Sequence, residues 1–91
     1  MLEHTTDMER ELIDSLRDEL DDIIKYDRLY KEACDHHDYE LADMLEDISA
    51  DEYTHATELW RHLSDNGIYD PHKHIDIEEK WHTVKQIFNI E

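Results

Sequence analysis

Two apolar stripes, each advancing by steps of three and four, decide what this chain can become. The first reads Leu12, Leu16, Glu19, Ile23, Tyr26, Tyr30, Ala33, and the second reads Leu41, Leu45, Ile48, Glu52, His55, Leu59, with Leu63 continuing it. Residues so spaced share one face of an α-helix, so each stretch predicts a long amphipathic helix. Period-two alternation is absent, which leaves no half-buried strand to expect. The expected fold class is all-α: a long antiparallel helical hairpin plus a short C-terminal helix.

Capping residues set the boundaries. Thr6-Asp7-Met8-Glu9 is a capping box, in which a hydroxyl and a carboxylate satisfy free amides at a helix start. Helix one then runs to about Cys34. Asp35-His36-His37-Asp38 makes a short polar turn, with Asp35 or Asp38 available to cap helix two, which runs from about Tyr39 to Ser64. Asn66-Gly67 ends it, because the chain's only glycine stands where a left-handed cap is wanted, and Pro71 follows. One domain therefore divides into a hairpin over 1–65, a linker over 66–75 and a tail over 76–91. In that tail Ile77, Trp81, Val84 and Phe88 recur at helical spacing and need an apolar surface to cover.

Three residues break the stripes: Glu19 in the first, Glu52 and His55 in the second. An ionised side chain facing a core is costly unless it is paired or bound to a cation. Glu19 and Glu52 each lie roughly fifteen residues from the turn, about 22 Å at the helical rise, so antiparallel packing brings them level. Glu52 and His55 lie one turn apart on one helix face, where a carboxylate oxygen and an imidazole nitrogen can reach one ion. A Glu from the neighbouring helix completes a mixed oxygen and nitrogen shell that suits iron, manganese or zinc, and redox iron fits its hard carboxylates best. The alternative is an ion-paired polar layer that fixes helix register.

Other residues are weighed against that centre. Tyr26, seven residues after Glu19, faces the same seam; it packs with its hydroxyl satisfied, or hydrogen-bonds a ligand or donates an electron. Asp18 and Asp21 flank Glu19 at the rim, either as receivers of incoming Fe(II) or as solvated surface. His62 lies one turn beyond Leu59 as a secondary ligand candidate. His4, His36, His37, His72, His74 and His82 read as surface residues.

A two-helix hairpin buries apolar surface on one side only, which rarely outweighs the ordering entropy of so short a chain. A twofold homodimer solves this and supplies the second Glu19, Glu52 and His55, giving a four-helix bundle with two irons per dimer. The net charge of −17, from 26 acidic against 9 basic residues, attracts cations and argues against a nucleic-acid partner. Most individual acids read as solvated helix surface. One cysteine, Cys34, permits no internal disulfide and fits a reducing cytosol. With an acidic start and no run of membrane-span length, a soluble, cytoplasmic protein that does not insert in a membrane is expected.

Glu19-Leu20-Asp21 followed by Tyr26-Asp27, then Glu52-Tyr53-Thr54-His55-Ala56 and Leu59-Trp60, resembles the encapsulated ferritins, two-helix half-ferritins stored inside encapsulin compartments. The tail from Lys80-Trp81 to Phe88 is similar to that family's C-terminal helix. The resemblance implies a ferroxidase, an oxidoreductase for Fe(II) in iron storage or detoxification, with Glu19, Glu52 and His55 as ligands shared across a subunit interface. It further implies assembly of the dimers into a decameric ring, an encapsulin shell as partner, and a metal-uptake role for Asp18 and Asp21. Lys25 stands where the family carries an aromatic before the tyrosine, the turn and linker are longer, and residues 76–91 show no encapsulin-targeting motif, departures that count against the encapsulation the resemblance implies. The rival expectations are a free-standing relative in the same superfamily, a non-catalytic metal buffer or metal-stapled oligomer, and a metal-free helical interaction module.

Overall fold

The computed structural model describes residues 6–90 and contains three helices: α1 (Asp7–Asp35), α2 (Tyr39–Asp65) and α3 (Ile75–Ile87). Among the described residues there is no strand, and no helix is long and apolar enough to cross a membrane. The expected His4 surface site falls outside the described residues.

The helix ends form where local chemistry places them. Thr6 caps α1 with both halves of the capping box present, its hydroxyl accepting from the Glu9 amide at 3.0 Å and its own amide donating to the Glu9 carboxylate at 3.0 Å. Asp38, rather than Asp35, caps α2, accepting from the Leu41 amide at 3.2 Å. All three C-termini close in the same way, with paired backbone bonds folding the chain back over the last turn: Asp38 to Ala33, Ile68 to Leu63 and Ile90 to Lys85, each beside a shorter loop. The left-handed residue in these motifs is Gly67 only once. His37 (φ 60°) and Asn89 (φ 58°) take that conformation at the other two ends. His37 also meets the Tyr39 hydroxyl at 3.0 Å, a local contact that helps hold a backbone conformation most side chains avoid.

α1 and α2 lie antiparallel along most of their length, and α3 turns back onto one flank of the pair. Small residues at seven-residue intervals on α2, Ala42, Ser49 and Ala56, are buried. They leave room for the long side chains of α1. The main core joins Ile13, Leu16, Leu20, Ile23, Ala56 and Leu63 of the hairpin to Tyr69 of the linker and Ile77, Trp81 and Val84 of α3. A smaller cluster of Ala33, Ala42 and Leu45 sits toward the turn.

α3 covers its apolar face as the tail's spacing required, and the cover displaces the stripes from where periodicity alone centred them. On α1 the buried column includes Ile13 and Leu20, which lie outside the first stripe, while Leu12, Glu19 and Tyr26 stay half-exposed. On α2 Leu45 and Leu63 are buried, Ile48, Glu52 and Leu59 are half-buried, and Leu41 and His55 are exposed. The physical reason is that α3 attracts one edge of each stripe. Two ion pairs hold it there, Arg17 Nε to Asp76 at 2.6 Å and Lys80 to Asp21 at 2.8 Å. The Arg17 hydrogen bond holds the Asp76 carboxyl below its ordinary range. Tyr53 and Trp60 of α2 reach α3 through edge-on ring contacts with Trp81, at 6.0 and 6.2 Å between centroids. Such contacts add about 0.5–1.5 kcal/mol each beyond area burial.

The molecule is 58 Å long and only 16 Å in its thinnest direction. One helix with side chains is about 10–12 Å across, so the flank opposite α3 has no second layer.

Ile77 is fully buried where α3 meets the hairpin. Ile77→Ala is expected to cost about 2–5 kcal/mol, read as a lower urea midpoint with an unchanged slope; an unaltered midpoint would mean that α3 does not belong to the cooperative fold.

Candidate metal centre

Glu19 reaches its place through helical geometry. Arg17 and Asp21, which hold α3, each stand two residues from Glu19, about 200° around the helix. The side chain that α1 turns away from α3 is therefore Glu19. The same arithmetic on α2 sets His55 against Tyr53, whose ring packs on Trp81. Glu52 lies between those two directions, at the inner edge.

The three residues separated in sequence come together. One ligand atom from each of Glu19, Glu52 and His55 lies within 4.8 Å of the other two. Metal bonds to oxygen and nitrogen of about 2.1 Å allow two ligands of one ion to be at most about 4.2 Å apart, so the group needs only a small closure to share a cation. Glu52 Oε1 sits 3.5 Å from His55 Nδ1, too far for a good hydrogen bond and close enough for attraction.

Their exposures differ in a useful way. Glu19 Oε1 is buried with no hydrogen-bond partner among the described residues. His55 is 59% exposed at its side chain, and Glu52 22%. An acceptor taken out of water and given no donor is destabilising by itself. Burial pushes the Glu19 carboxyl above its ordinary range, the Glu52 charge pushes it further, His55 draws it back, and Asp22 adds a last small push. A divalent cation reverses each of the unfavourable contributions, because it gives the orphaned oxygen a partner and screens one carboxylate from the other.

The other candidates do not join the group. Asp21 is committed to Lys80 on the α3 side of α1. Asp18 is exposed, and His62 is exposed in the last turn of α2, two turns beyond His55. Tyr26 is half-buried on the Glu19 side, with the Lys25 ammonium 5.1 Å from its ring centre. His36 and His37 are exposed at the turn, and Cys34 is a free, half-buried thiol at the end of α1. Sequence reasoning missed the aromatic cluster across α3, whose members come from two helices and the linker. Trp60 and Tyr53, seven residues apart on a second face of α2, carried the signal.

No family model, curated protein or solved structure matches the chain.

The Glu19 shift has a stability consequence in metal-free protein. Its folded-state pKa lies above the unfolded value, so apoprotein stability falls as pH rises from the ordinary carboxylate range through the raised value, and the penalty is complete above it. Glu19→Gln, which stays neutral, is expected to unfold at higher temperature than wild type at pH 7, with the gain vanishing below the ordinary carboxylate pKa. A Gln variant less stable than wild type at pH 7 would show that the carboxylate is well partnered without a metal.

Proposed function

We propose that this chain is a ferroxidase: two copies pair through the uncovered flank into a four-helix bundle and oxidise Fe(II) at a di-iron site built from Glu19, Glu52 and His55 of each. The observation that carries the reading is the convergence of those three donors around an unpartnered buried oxygen of Glu19 on the flank that α3 leaves bare. Partial resemblance to the encapsulated ferritins, in the motifs around the same residues, supports it.

The donor set fits the substrate. Carboxylate oxygens and one imidazole per chain suit first-row divalent ions over Mg²⁺ or Ca²⁺, which prefer all-oxygen shells. In the paired chains four carboxylates match the charge of two Fe(II) ions. Glu52 would be the residue to bridge two ions, while Glu19 and His55 would anchor them. Carboxylates change between terminal and bridging modes as the charge on iron rises, which accommodates the oxidised product. Dioxygen taking two electrons and two protons from solvent leaves as hydrogen peroxide while two Fe(II) become two Fe(III); hydrogen peroxide in the same role leaves as two waters. The −17 charge of each chain draws Fe(II) toward the surface.

Pairing has its own support. Along the bare flank Met8 is 68% and Met44 52% exposed, and Leu12, Ile48 and Leu59 are half-buried around the triad. A twofold axis through this face would cover them and supply the second set of ligands at once. A decameric ring and an encapsulin shell rest on the resemblance alone.

The exposed position of His55 favours a second reading, in which a non-redox cation such as Zn²⁺ simply staples two chains together. Oxygen uptake separates the two.

Anaerobic Fe(II) titration is expected to end at one iron per chain in wild type, with the bound form gaining about 2.7 kcal/mol of stability at a hundredfold excess over Kd. Glu52→Ala is expected to abolish the binding while remaining folded, and air is expected to bring rapid oxygen consumption only in wild type. Unchanged iron binding in Glu52→Ala would remove the assignment, and binding without faster oxidation would leave the staple. In the same samples His55→Ala is expected to lose the metal-dependent part of dimerisation in sedimentation; a dimer indifferent to chelator and to this substitution would mean that assembly does not need the centre.

A further inference from the structure

Both tryptophans of the chain and two of its five tyrosines lie in one continuous run of ring contacts. Tyr53, the residue after Glu52 on α2, meets Trp81 of α3 at 6.0 Å between centroids. Trp81 meets Trp60 at 6.2 Å, and Trp60 meets Tyr69 of the linker at 6.5 Å. Each of these rings is an oxidisable type. The one phenylalanine, Phe88, packs against Tyr53 at 4.8 Å to the side of this run and does not interrupt it.

Two members of the run, Trp81 within it and Tyr69 at its end, differ in how they treat a proton. Trp81 Nε1 is buried with no acceptor among the described residues, so an oxidised Trp81 keeps its proton and remains a strong oxidant for its neighbour. Tyr69 is almost fully buried and its hydroxyl donates a hydrogen bond to the Glu78 carboxylate. Burial, with the Glu78 bond and charge behind it, pushes the phenol well above its ordinary range, so Tyr69 does not ionise by itself. Oxidation changes that, because a phenol that has lost an electron is a strong acid, and Glu78 already occupies the position to take its proton.

We infer that Tyr53, Trp81, Trp60 and Tyr69 form a relay that carries an oxidising equivalent from the triad to Tyr69, where proton transfer to Glu78 traps it as a neutral tyrosyl radical. The source of the equivalent rests on the ferroxidase reading; the ring-to-ring transfer does not. When hydrogen peroxide meets a triad holding a single Fe(II), iron gives one electron, the O–O bond breaks, and hydroxide and a hydroxyl radical result. The second electron comes through the relay from Tyr69 and turns that radical into hydroxide. Tyr69 ends as the tyrosyl radical, Glu78 as the carboxylic acid, and iron as Fe(III). Unmatched oxidation is thereby moved from the ligands Glu19, Glu52 and His55 to a buried side chain on the far side of the hairpin.

Pulse radiolysis of the metal-free protein tests the relay without iron. Azide radicals oxidise tryptophan, and the expected result is a first-order, concentration-independent decay of the tryptophan radical into a tyrosyl radical. Tyr69→Phe, which keeps the ring and removes only the hydroxyl, should lose most of that tyrosyl signal, and Glu78→Gln should slow its growth. Equal tyrosyl growth in Tyr69→Phe, or decay of the tryptophan radical only by encounters between molecules, would overturn the relay. A second measurement tests its source: wild type loaded with Fe(II), mixed with hydrogen peroxide and frozen, should show a tyrosyl signal by electron paramagnetic resonance that is lost in Tyr69→Phe and in Glu52→Ala. If transfer occurs in the first experiment and the signal survives Glu52→Ala in the second, the triad is not the source and that part of the inference falls. Iron binding, measured separately, decides the ferroxidase reading.

Discussion

Two carboxylates, Glu19 and Glu52, meet across an antiparallel helix pair at a level where a pair of leucines would have closed the core. Burial and mutual repulsion make this contact unfavourable, and Glu19 carries the cost in a raised pKa and an oxygen without a donor. A hairpin with so little core has small reserves against such a cost, since domain stabilities are only about 5–15 kcal/mol in total. The level is nevertheless built with care: small residues bring the helices close, and His55 stands one turn from Glu52 with its ring toward the same space. On the proposed reading, a bound cation would give the orphaned Glu19 oxygen a partner and screen the two carboxylates from each other.

The position of α3 follows from the same asymmetry. It packs where the hairpin presents apolar and aromatic side chains, Ile13, Leu20 and Ile24 on α1 and Tyr53 and Trp60 on α2, with Arg17 and Asp21 at the margin of that contact. The flank that carries the carboxylates is left bare, because an apolar helix laid over it would bury charge with nothing to offset it. The ion pairs Arg17–Asp76 and Lys80–Asp21 are surface contacts of small energy, and they select the flank and the direction of α3 more than they stabilise it. The thin, two-faced molecule that results has a closed side built on rings and an open side that carries the Glu19, Glu52 and His55 group.

The two sides are joined through α2, where Glu52 and Tyr53 are successive residues facing different neighbours. A helix turns about 100° per residue, so adjacent positions can serve a metal site and an aromatic core without competing for space. Packing, ligation and electron transfer would then depend on one short stretch of helix, from Glu52 to Trp60.

Much of this was legible in the residues themselves. The bounds of α1 and α2 and the start of α3 came within a residue or so of the observed ones, because caps act locally: a hydroxyl or carboxylate answers an amide three residues away, whatever the rest of the chain does. The last helix, expected over 76–91, instead ends at Ile87, where the chain turns left-handed at Asn89. The meeting of Glu19 with Glu52 and His55 was legible for a related reason, since equal distance from a tight turn sets equal depth in any antiparallel pair. His37 and Asn89 as left-handed caps were not, because glycine announces that conformation and other residues only tolerate it. Nor was the choice of buried edge. Periodicity defines a stripe, yet an amphipathic helix with a broad apolar arc can be covered from either side, and the arrival of α3 decided it. Leu20 and Ile13 became core while Leu12 and Tyr26 stayed half-open through contacts between residues some sixty positions apart, a separation at which local pattern carries no information.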